Sequence, residues 1–184
     1  INISGKTFVV EEINEGKGSL GIRVSLAQVA GMDGVSLDGI IKERAKGPYK
    51  SLLDFYQRTQ LSTVLNTNLI LCGAFDGLHS NRRQLLWDLK RIQNLWLKQN
   101  QLSLFPHEPQ LLLEGRDQYQ VTDFSPREKF LREYAVLGLN TADHIMAFTR
   151  PQLQGKQIFT SQMLENTKPG QWVKAAGIVI RPHR

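Results

Sequence analysis

The chain has 184 residues, of which 41% are hydrophobic and 22% are charged. This composition is that of a folded protein with one or two cores, and it excludes a disordered tail. The single cysteine excludes an internal disulfide and a multi-cysteine zinc site. A formal net charge of +6 favours a polyanionic partner, although surplus lysine and arginine often only solvate a surface.

The sequence predicts a cytoplasmic protein. It contains no signal-peptide pattern and no apolar run long enough to span a bilayer. Because the first residue is Ile1 and not methionine, we expect a piece of a longer chain.

Residues 1–24 predict a β-hairpin. The β-branched and apolar runs 7–11 and 20–24 are separated by the polar, glycine-containing segment 14–18. Two strands alone are marginally stable, so we expect them to pack on neighbouring elements.

Residues 25–98 contain two similar turns between helical segments. The first is Gly-Met-Asp-Gly at 31–34, and the second is Gly-Ala-Phe-Asp-Gly at 73–77. Glycines in such turns let backbone amides face outward at the start of a helix, which suits a phosphate. Glycine also serves simply to reverse the chain between helices. Two such turns in a basic chain favour sequence-independent contact with the DNA backbone.

Further helices are predicted at 52–58, capped by Ser51, at 62–72 and at about 80–98. The last of these has one apolar stripe. The stripe consists of Leu85, Leu89, Ile92 and Trp96. Ser125 and Glu128 form a capping box, which predicts a helix from Pro126 to Leu137 that stops at Gly138. Irregular structure around Pro151, a short helix at 160–165 and a strand at 171–180 follow.

The predicted fold class is mainly α with a small β portion. Its parts are a hairpin at 1–24, a tandem helical DNA-binding domain at 25–98, a linker at 99–124, a connecting helical segment at 125–169 and a terminal strand at 170–184. We expect no catalytic residue and no metal site, because the histidines are scattered and no nucleotide-binding or hydrolase motif occurs. The predicted DNA-contacting residues are Gly31, Met32, Gly34, Ser36, Gly73, Ala74, Gly77, Ser80, Arg82, Arg83 and Lys90.

Residues 101–105, Gln-Leu-Ser-Leu-Phe, lie in the predicted linker. An extended peptide of this kind suits docking into an apolar pocket of a partner. It suits equally a hydrophobic staple that pins the linker to its own domain. The residues concerned are Gln101, Leu102, Ser103, Leu104 and Phe105.

The chain resembles the bacterial DNA polymerase III alpha subunit, a C-family DNA polymerase with replicative and error-prone branches. The resemblance is most specific in the Gly-Pro-Tyr-Lys-Ser-Leu-Leu-Asp-Phe run at 47–55 and in the Cys-Gly-Ala-Phe-Asp run at 72–76, with support from the Pro-Gly-Gln-Trp-Val run at 169–173.

The resemblance implies the end of a fingers region, a tandem helix-hairpin-helix domain that binds the backbone of double-stranded DNA, and the first strand of a truncated OB-fold. It implies that residues 101–105 bind the sliding clamp and that other replicase subunits are partners. The carboxylates that hold Mg²⁺ for nucleotidyl transfer would lie upstream of Ile1, so this fragment itself should not polymerise.

The chain departs from the family pattern at the first turn, where Ala30 replaces a basic residue and Asp33 replaces glycine. Because a carboxylate at Asp33 would repel phosphate, we expect the second turn, followed by Arg82 and Arg83, to carry most of the DNA contact. Two alternatives are a helix-hairpin-helix DNA glycosylase, for which no catalytic residue is evident, and a protein-binding helical scaffold.

Overall fold

The structure is a computed structural model that describes residues 1–12, 20–101, 121–139, 141 and 144–177, without the side chains of residues 98–101. It divides into two compact units, Ile1–Thr141 and Ala142–Arg184. Within the described ranges, every helix is too short or too polar to cross a membrane. The predicted fold class, mainly helical with a small antiparallel sheet, is confirmed.

The first unit begins with the predicted β-hairpin. Strands β1 (Val9–Glu12) and β2 (Leu20–Arg23) are antiparallel, and Val10 lies opposite Ile22. The turn predicted at 14–18 lies outside the described residues. Successive side chains of a strand point to opposite faces of the hairpin. The face that bears Val10 is mostly apolar and is exposed to solvent. It carries Val10, Leu20 and Ile22.

Helices make up the rest of the first unit. Most of them begin where the sequence supplies a side chain that caps the free amides of the first turn. Ser51 accepts from the Asp54 amide, and Ser125 and Glu128 form the predicted reciprocal capping box. The elements are a 3-10 helix Leu26–Gln28, α1 Gly34–Ala45, α2 Leu52–Thr59, α3 Thr63–Leu71, α4 Arg82–Gln101 and α5 Pro126–Leu137.

The core of this unit is centred on three aromatic rings. Phe55 packs edge to face between Tyr49 and Phe75, with ring centroids 4.8 and 5.1 Å apart. Such pairs contribute about 0.5–1.5 kcal/mol beyond the burial of their area. Phe75 belongs to the second hairpin turn, so this turn is anchored directly in the core. The other fully buried side chains include Ile40, Leu69, Ile70 and Leu89.

The predicted stripe of α4 faces this core. Leu85, Leu89 and Ile92 are buried. Trp96 is half-buried and packs edge to face on Tyr56, with ring centroids 6.0 Å apart.

Helix α5 belongs to the first unit. It starts and stops where the sequence predicts, at the Ser125 cap and at Gly138, whose φ is +67°. It packs against α3 and buries Phe130, Val136 and Leu137. Its apolar face contributes Val136 and Leu137 to the helical core.

The second unit contains α6 (Ile145–Leu153) and α7 (Ser161–Leu164). The prediction of irregular structure around Pro151 was wrong, because Pro151 lies in the last turn of α6. A proline there removes one main-chain hydrogen bond close to the helix end and does not prevent the preceding turns from forming. The short helix predicted at 160–165 is confirmed.

Residues 171–177 form no regular strand. Among residues that the structure describes, their one ladder contact is an isolated parallel bridge between Lys174 and Ile158. Residues 178–184 lie outside the described residues, so the start of an OB-fold stays a prediction.

Candidate nucleic-acid interface

The first hairpin turn connects the 3-10 helix to α1. Gly31 has a φ of +82°, which glycine adopts without the steric cost that a Cβ imposes. The Ala30 amide donates to the Val136 carbonyl at 3.0 Å, and Asn68 Nδ2 donates to the Ala30 carbonyl at 2.8 Å. The turn is therefore held by α3 and by the end of α5, while Gly31 and Gly34 remain exposed.

Asp33 caps α1 with its own side chain. Its Oδ1 accepts from the Ser36 amide at 2.7 Å, and its Oδ2 accepts from Ser36 Oγ at 3.2 Å. The hydrogen bond from the Ser36 backbone lowers the pKa of Asp33 below its ordinary value. A negative charge thus already occupies the positive end of the α1 dipole, where a phosphate would otherwise bind. Ser36 is committed to this cap, and Met32 packs against the core.

The second hairpin turn starts with a Schellman motif at the end of α3. The Gly73 amide donates to Ile70 and the Ala74 amide donates to Leu69, with Gly73 at a φ of +80°. Phe75 then enters the core. Asp76 and Gly77 are exposed, and the Gly77 amide has no hydrogen-bond partner within the described ranges. Ala74 is half-buried.

Arg82, the first residue of α4, turns inward from this turn. It is 5% exposed, and its Nε lies 2.8 Å from Asp76 Oδ1. Its Nη1 lies 2.6 Å from Glu133 Oε1 on α5 and 3.0 Å from the Leu71 carbonyl. Burial alone would lower the pKa of Arg82, but its hydrogen bonds and ion pairs with the two carboxylates outweigh burial and raise it.

This placement does not support the expectation that Arg82 contacts phosphate. Two carboxylates and a carbonyl take four of the five N–H donors of this buried guanidinium, which leaves it poorly placed to contact an external ligand. Arg82 instead ties the second turn to α5. The predicted pair of arginines is therefore divided, and only Arg83 faces outward.

The outer face of α4 carries the exposed charges of the second hairpin. Arg83, Trp87 and Lys90 are spaced four and three residues apart, which places them on one side of the helix. Lys90 makes no ion pair with any described residue, and the Trp87 side chain is 49% exposed. Arg83 is partly held, with its Nη2 3.4 Å from Glu128 Oε1.

The start of α5 adds basic residues that the sequence did not connect with the turn. Arg83 and Arg132 both stack on the ring of Phe124, with their guanidinium carbons 4.5 and 4.1 Å from its centroid. Lys129 pairs with Asp123 and donates to the Ser80 carbonyl at 3.4 Å. The capping box at Ser125 predicted this helix, but no local pattern indicated that it lies beside the second turn.

Residue Gln101 is the last residue of α4. Leu102, Ser103, Leu104 and Phe105 lie outside the described residues, so the structure does not separate clamp docking from a staple.

Comparisons with known proteins agree with this geometry. Residues 1–85 match the family model of a helix-hairpin-helix motif. An error-prone DNA polymerase from Symbiobacterium thermophilum is 31% identical over 180 residues, which cover 89% of this chain and 17% of that protein. The error-prone DNA polymerase of Anaeromyxobacter sp. strain K is 29% identical over 86% of this chain and 13% of its own length.

Error-prone DNA polymerase 2 of Rhizobium meliloti is 26% identical over 98% of this chain and 17% of its own length. The chain thus spans less than a fifth of the length of these relatives. Along most of its own length the chain is homologous to error-prone DNA polymerases, and its residues 1–85 contain a helix-hairpin-helix motif.

Proposed function

We propose that this chain is a non-catalytic section of a bacterial error-prone DNA polymerase that binds the backbone of double-stranded DNA. The observation that carries the proposal is the second hairpin, where an exposed glycine turn leads directly into a helix with an outward cationic face. Its homology to error-prone DNA polymerases supports the same function.

The proposed contacts combine backbone amides with side-chain charges. The exposed Gly77 amide has no hydrogen-bond partner among the described residues, and it lies in the turn that precedes α4. Arg83 and Lys90 follow on the outer face of that helix. Amides and cations that meet phosphates carry no base information, so binding should be independent of sequence.

The first hairpin has a weaker claim to phosphate. Gly31 and Gly34 are exposed, but the Asp33 carboxylate stands between them and takes the Ser36 amide for itself. We assign the first hairpin mainly to the fold and to secondary contact with DNA.

The double variant Arg83→Ala with Lys90→Ala tests this assignment. It should weaken duplex binding about equally for all sequences and reduce the slope of log affinity against log salt by up to about 2, because each lost phosphate contact removes roughly one unit. Duplex titration by fluorescence anisotropy over a range of salt measures both quantities.

The matched control is Lys42→Ala with Lys50→Ala, which removes the same charge from exposed lysines that make no ion pair with any described residue. An equal loss of duplex affinity in the two double variants would show that only the net charge of the chain matters. If the unaltered chain fails to bind duplex DNA at low salt, the proposed function itself is wrong.

We further propose that residues 101–105 bind the sliding clamp, with Leu104 and Phe105 filling an apolar pocket and Gln101 donating or accepting at its edge. The support is the sequence pattern and its position directly after a helix. Tethering to a clamp that encircles DNA would make DNA contact effectively intramolecular, so modest affinities would still give long residence.

Leu104→Ala with Phe105→Ala should abolish binding to a bacterial sliding clamp and leave duplex affinity unchanged, since the two side chains supply the apolar anchor. Surface plasmon resonance on immobilised clamp measures the loss. Leu111→Ala with Leu112→Ala removes similar apolar area from the same segment and should bind normally. If Leu104→Ala with Phe105→Ala keeps its affinity for the clamp, the clamp proposal is wrong and the hydrophobic-staple interpretation is favoured.

The parent activity would be template-directed DNA synthesis in replication or lesion bypass. In the parent, Mg²⁺ would be held by the catalytic carboxylates that the family resemblance places outside this fragment. Nucleotide incorporation by this chain alone would contradict the proposal.

A further inference from the structure

One helix, α5, is attached to both hairpin turns. Its Glu133 pairs with Arg82, which also binds Asp76 of the second turn and the Leu71 carbonyl at the end of α3. The side chains of Arg82 and Glu133 are 7% and 13% exposed. The second turn is therefore fixed to α5 through a nearly buried, charge-assisted contact, which is the stronger kind of hydrogen bond.

The next turn of the same helix holds the first hairpin. The Val136 carbonyl accepts from the Ala30 amide at 3.0 Å, and the Leu137 carbonyl accepts from Gln28 Nε2 at 2.7 Å. Glu133 and Val136 are three residues apart, so the two attachment points are separated by about 4.5 Å along the helix axis. A single rigid helical turn thus joins two loops that are more than forty residues apart in sequence, roughly the span from residue 30 to residue 73.

The charges at this junction do not by themselves favour an anionic ligand. One guanidinium faces two carboxylates, so the cluster has one negative charge in excess. Asp76 alone would neutralise Arg82. The second carboxylate, Glu133, opposes a phosphate close to this turn electrostatically. If Glu133 favours DNA binding, it does so by holding Arg82 and the second turn in place.

We propose that α5 is a bracket that fixes the distance between the two hairpin turns on the DNA backbone, with Glu133 as a positioning residue that acts through Arg82. This inference rests on the proposed DNA-binding function. Loops that are already held in their bound arrangement lose less entropy when they bind, so the bracket raises affinity without touching DNA.

Two substitutions of Glu133 separate position from charge. Glu133→Gln keeps an oxygen that accepts from Arg82 and removes the negative charge, so duplex affinity should stay equal or rise a few-fold. Glu133→Ala removes the same charge together with the contact, and affinity should fall by about two- to thirtyfold, the range of typical coupling effects. Circular dichroism and thermal melting establish that both variants are folded at the temperature of the titration.

Hydrogen exchange at the first turn separates the bracket from a purely local structural role of Glu133, because a local role would not change exchange there. In Glu133→Ala, the Ala30 amide of the first turn should exchange faster than in the unaltered chain, although the described side-chain contacts of Glu133 are with Arg82 and Thr141 and not with the first turn. In Glu133→Gln its exchange should be unchanged. Glu12→Ala removes an exposed carboxylate from the β-hairpin and controls for net charge.

If Glu133→Ala does not fold, Gln28→Ala provides the test from the other side, because it removes one hydrogen bond to α5 from an exposed residue. It should lower affinity in the same direction.

Equal or tighter binding by Glu133→Ala, or lower stability with unchanged affinity, would overturn the bracket. If the unaltered chain binds no duplex DNA, the proposed function fails, whereas unchanged exchange at Ala30 in Glu133→Ala refutes the bracket independently of DNA.

Discussion

The two hairpin turns resemble each other in sequence and differ in how they are held. Each has a glycine with a φ near +80° and an aspartate close behind it. In the first turn the aspartate caps its own helix, and the space around Gly31 is open. In the second turn Asp76 pairs with Arg82, whose guanidinium lies against Gly73.

The difference shows that one short pattern serves two purposes. Asp33 satisfies a local need, the free amides of a helix start, and therefore opposes an anion there. Asp76 instead pairs with Arg82, six residues further along the chain, and the start of α4 is capped by Asn81, whose Oδ1 accepts from the Gln84 amide at 2.9 Å. The second turn thereby keeps its outer surface for a ligand.

The largest expected difference is between the two glycines. In Gly73→Ala the new Cβ would lie 2.3 Å from Arg82 Nη2 and 2.9 Å from Asp76 Oδ2, whereas in Gly31→Ala it would meet nothing within 4 Å. We expect Gly31→Ala to cost about 1–2 kcal/mol, from the left-handed backbone alone. Gly73→Ala should cost about 2–5 kcal/mol, since overpacking adds about 1–3 kcal/mol. Urea unfolding measures both, and equal losses would contradict the tighter packing of the second turn.

A smaller effect is expected on DNA affinity when the charge of the first turn is removed. Asp33→Asn keeps an oxygen that caps α1 and removes the carboxylate beside the exposed glycines, so duplex affinity should rise by about two- to fivefold. Asp38→Asn changes the charge by the same amount further along α1 and serves as the control. Unchanged affinity in Asp33→Asn would place the first turn away from DNA.

The smallest expected effect is the acid dependence of the α1 cap. Because the pKa of Asp33 is lower in the folded chain than its ordinary value of 3.8, its ionisation stabilises the fold above that value. The contribution is lost as the pH falls through the lower, folded pKa. Thermal melting should therefore show the unaltered chain slightly more stable than Asp33→Asn at neutral pH, with the difference shrinking below pH 3.8. A difference that does not change with pH would show that the charge is irrelevant to the cap.

The parts of the fold that follow from neighbouring residues could be predicted from the sequence. The starts of α2 and α5 depend on Ser51 and on the Ser125–Glu128 box, and the end of α5 depends on Gly138. Each of these signals acts within one helical turn, so no knowledge of the tertiary fold is needed. The stripe of α4 likewise reports its buried side through spacing alone.

The part of the candidate site that could not be predicted depends on contacts between distant segments. The sequence does not indicate whether Arg82 or Arg83 is buried, because the ion-pair partner of Arg82 is Glu133, which lies far along the chain on α5. Helix periodicity in the stripe 82, 85, 89 and 92 is consistent with burial of Arg82, but a charged residue at such a position is ordinarily assumed to be exposed. The prediction at Pro151 was wrong for a local reason. Proline breaks the interior of a helix, but it is tolerated in the last turn, where Pro151 lies.

The contact between Gly73 and Arg82 has a consequence for how this segment can change during evolution. Any side chain at position 73 would need the guanidinium to leave, and Asp76 would then lose the partner that holds it. Positions 73, 76 and 82 are therefore structurally coupled. Among homologues that keep this hairpin, glycine, aspartate and arginine should be retained or lost together, whereas the residues at positions 31 and 33 should vary independently.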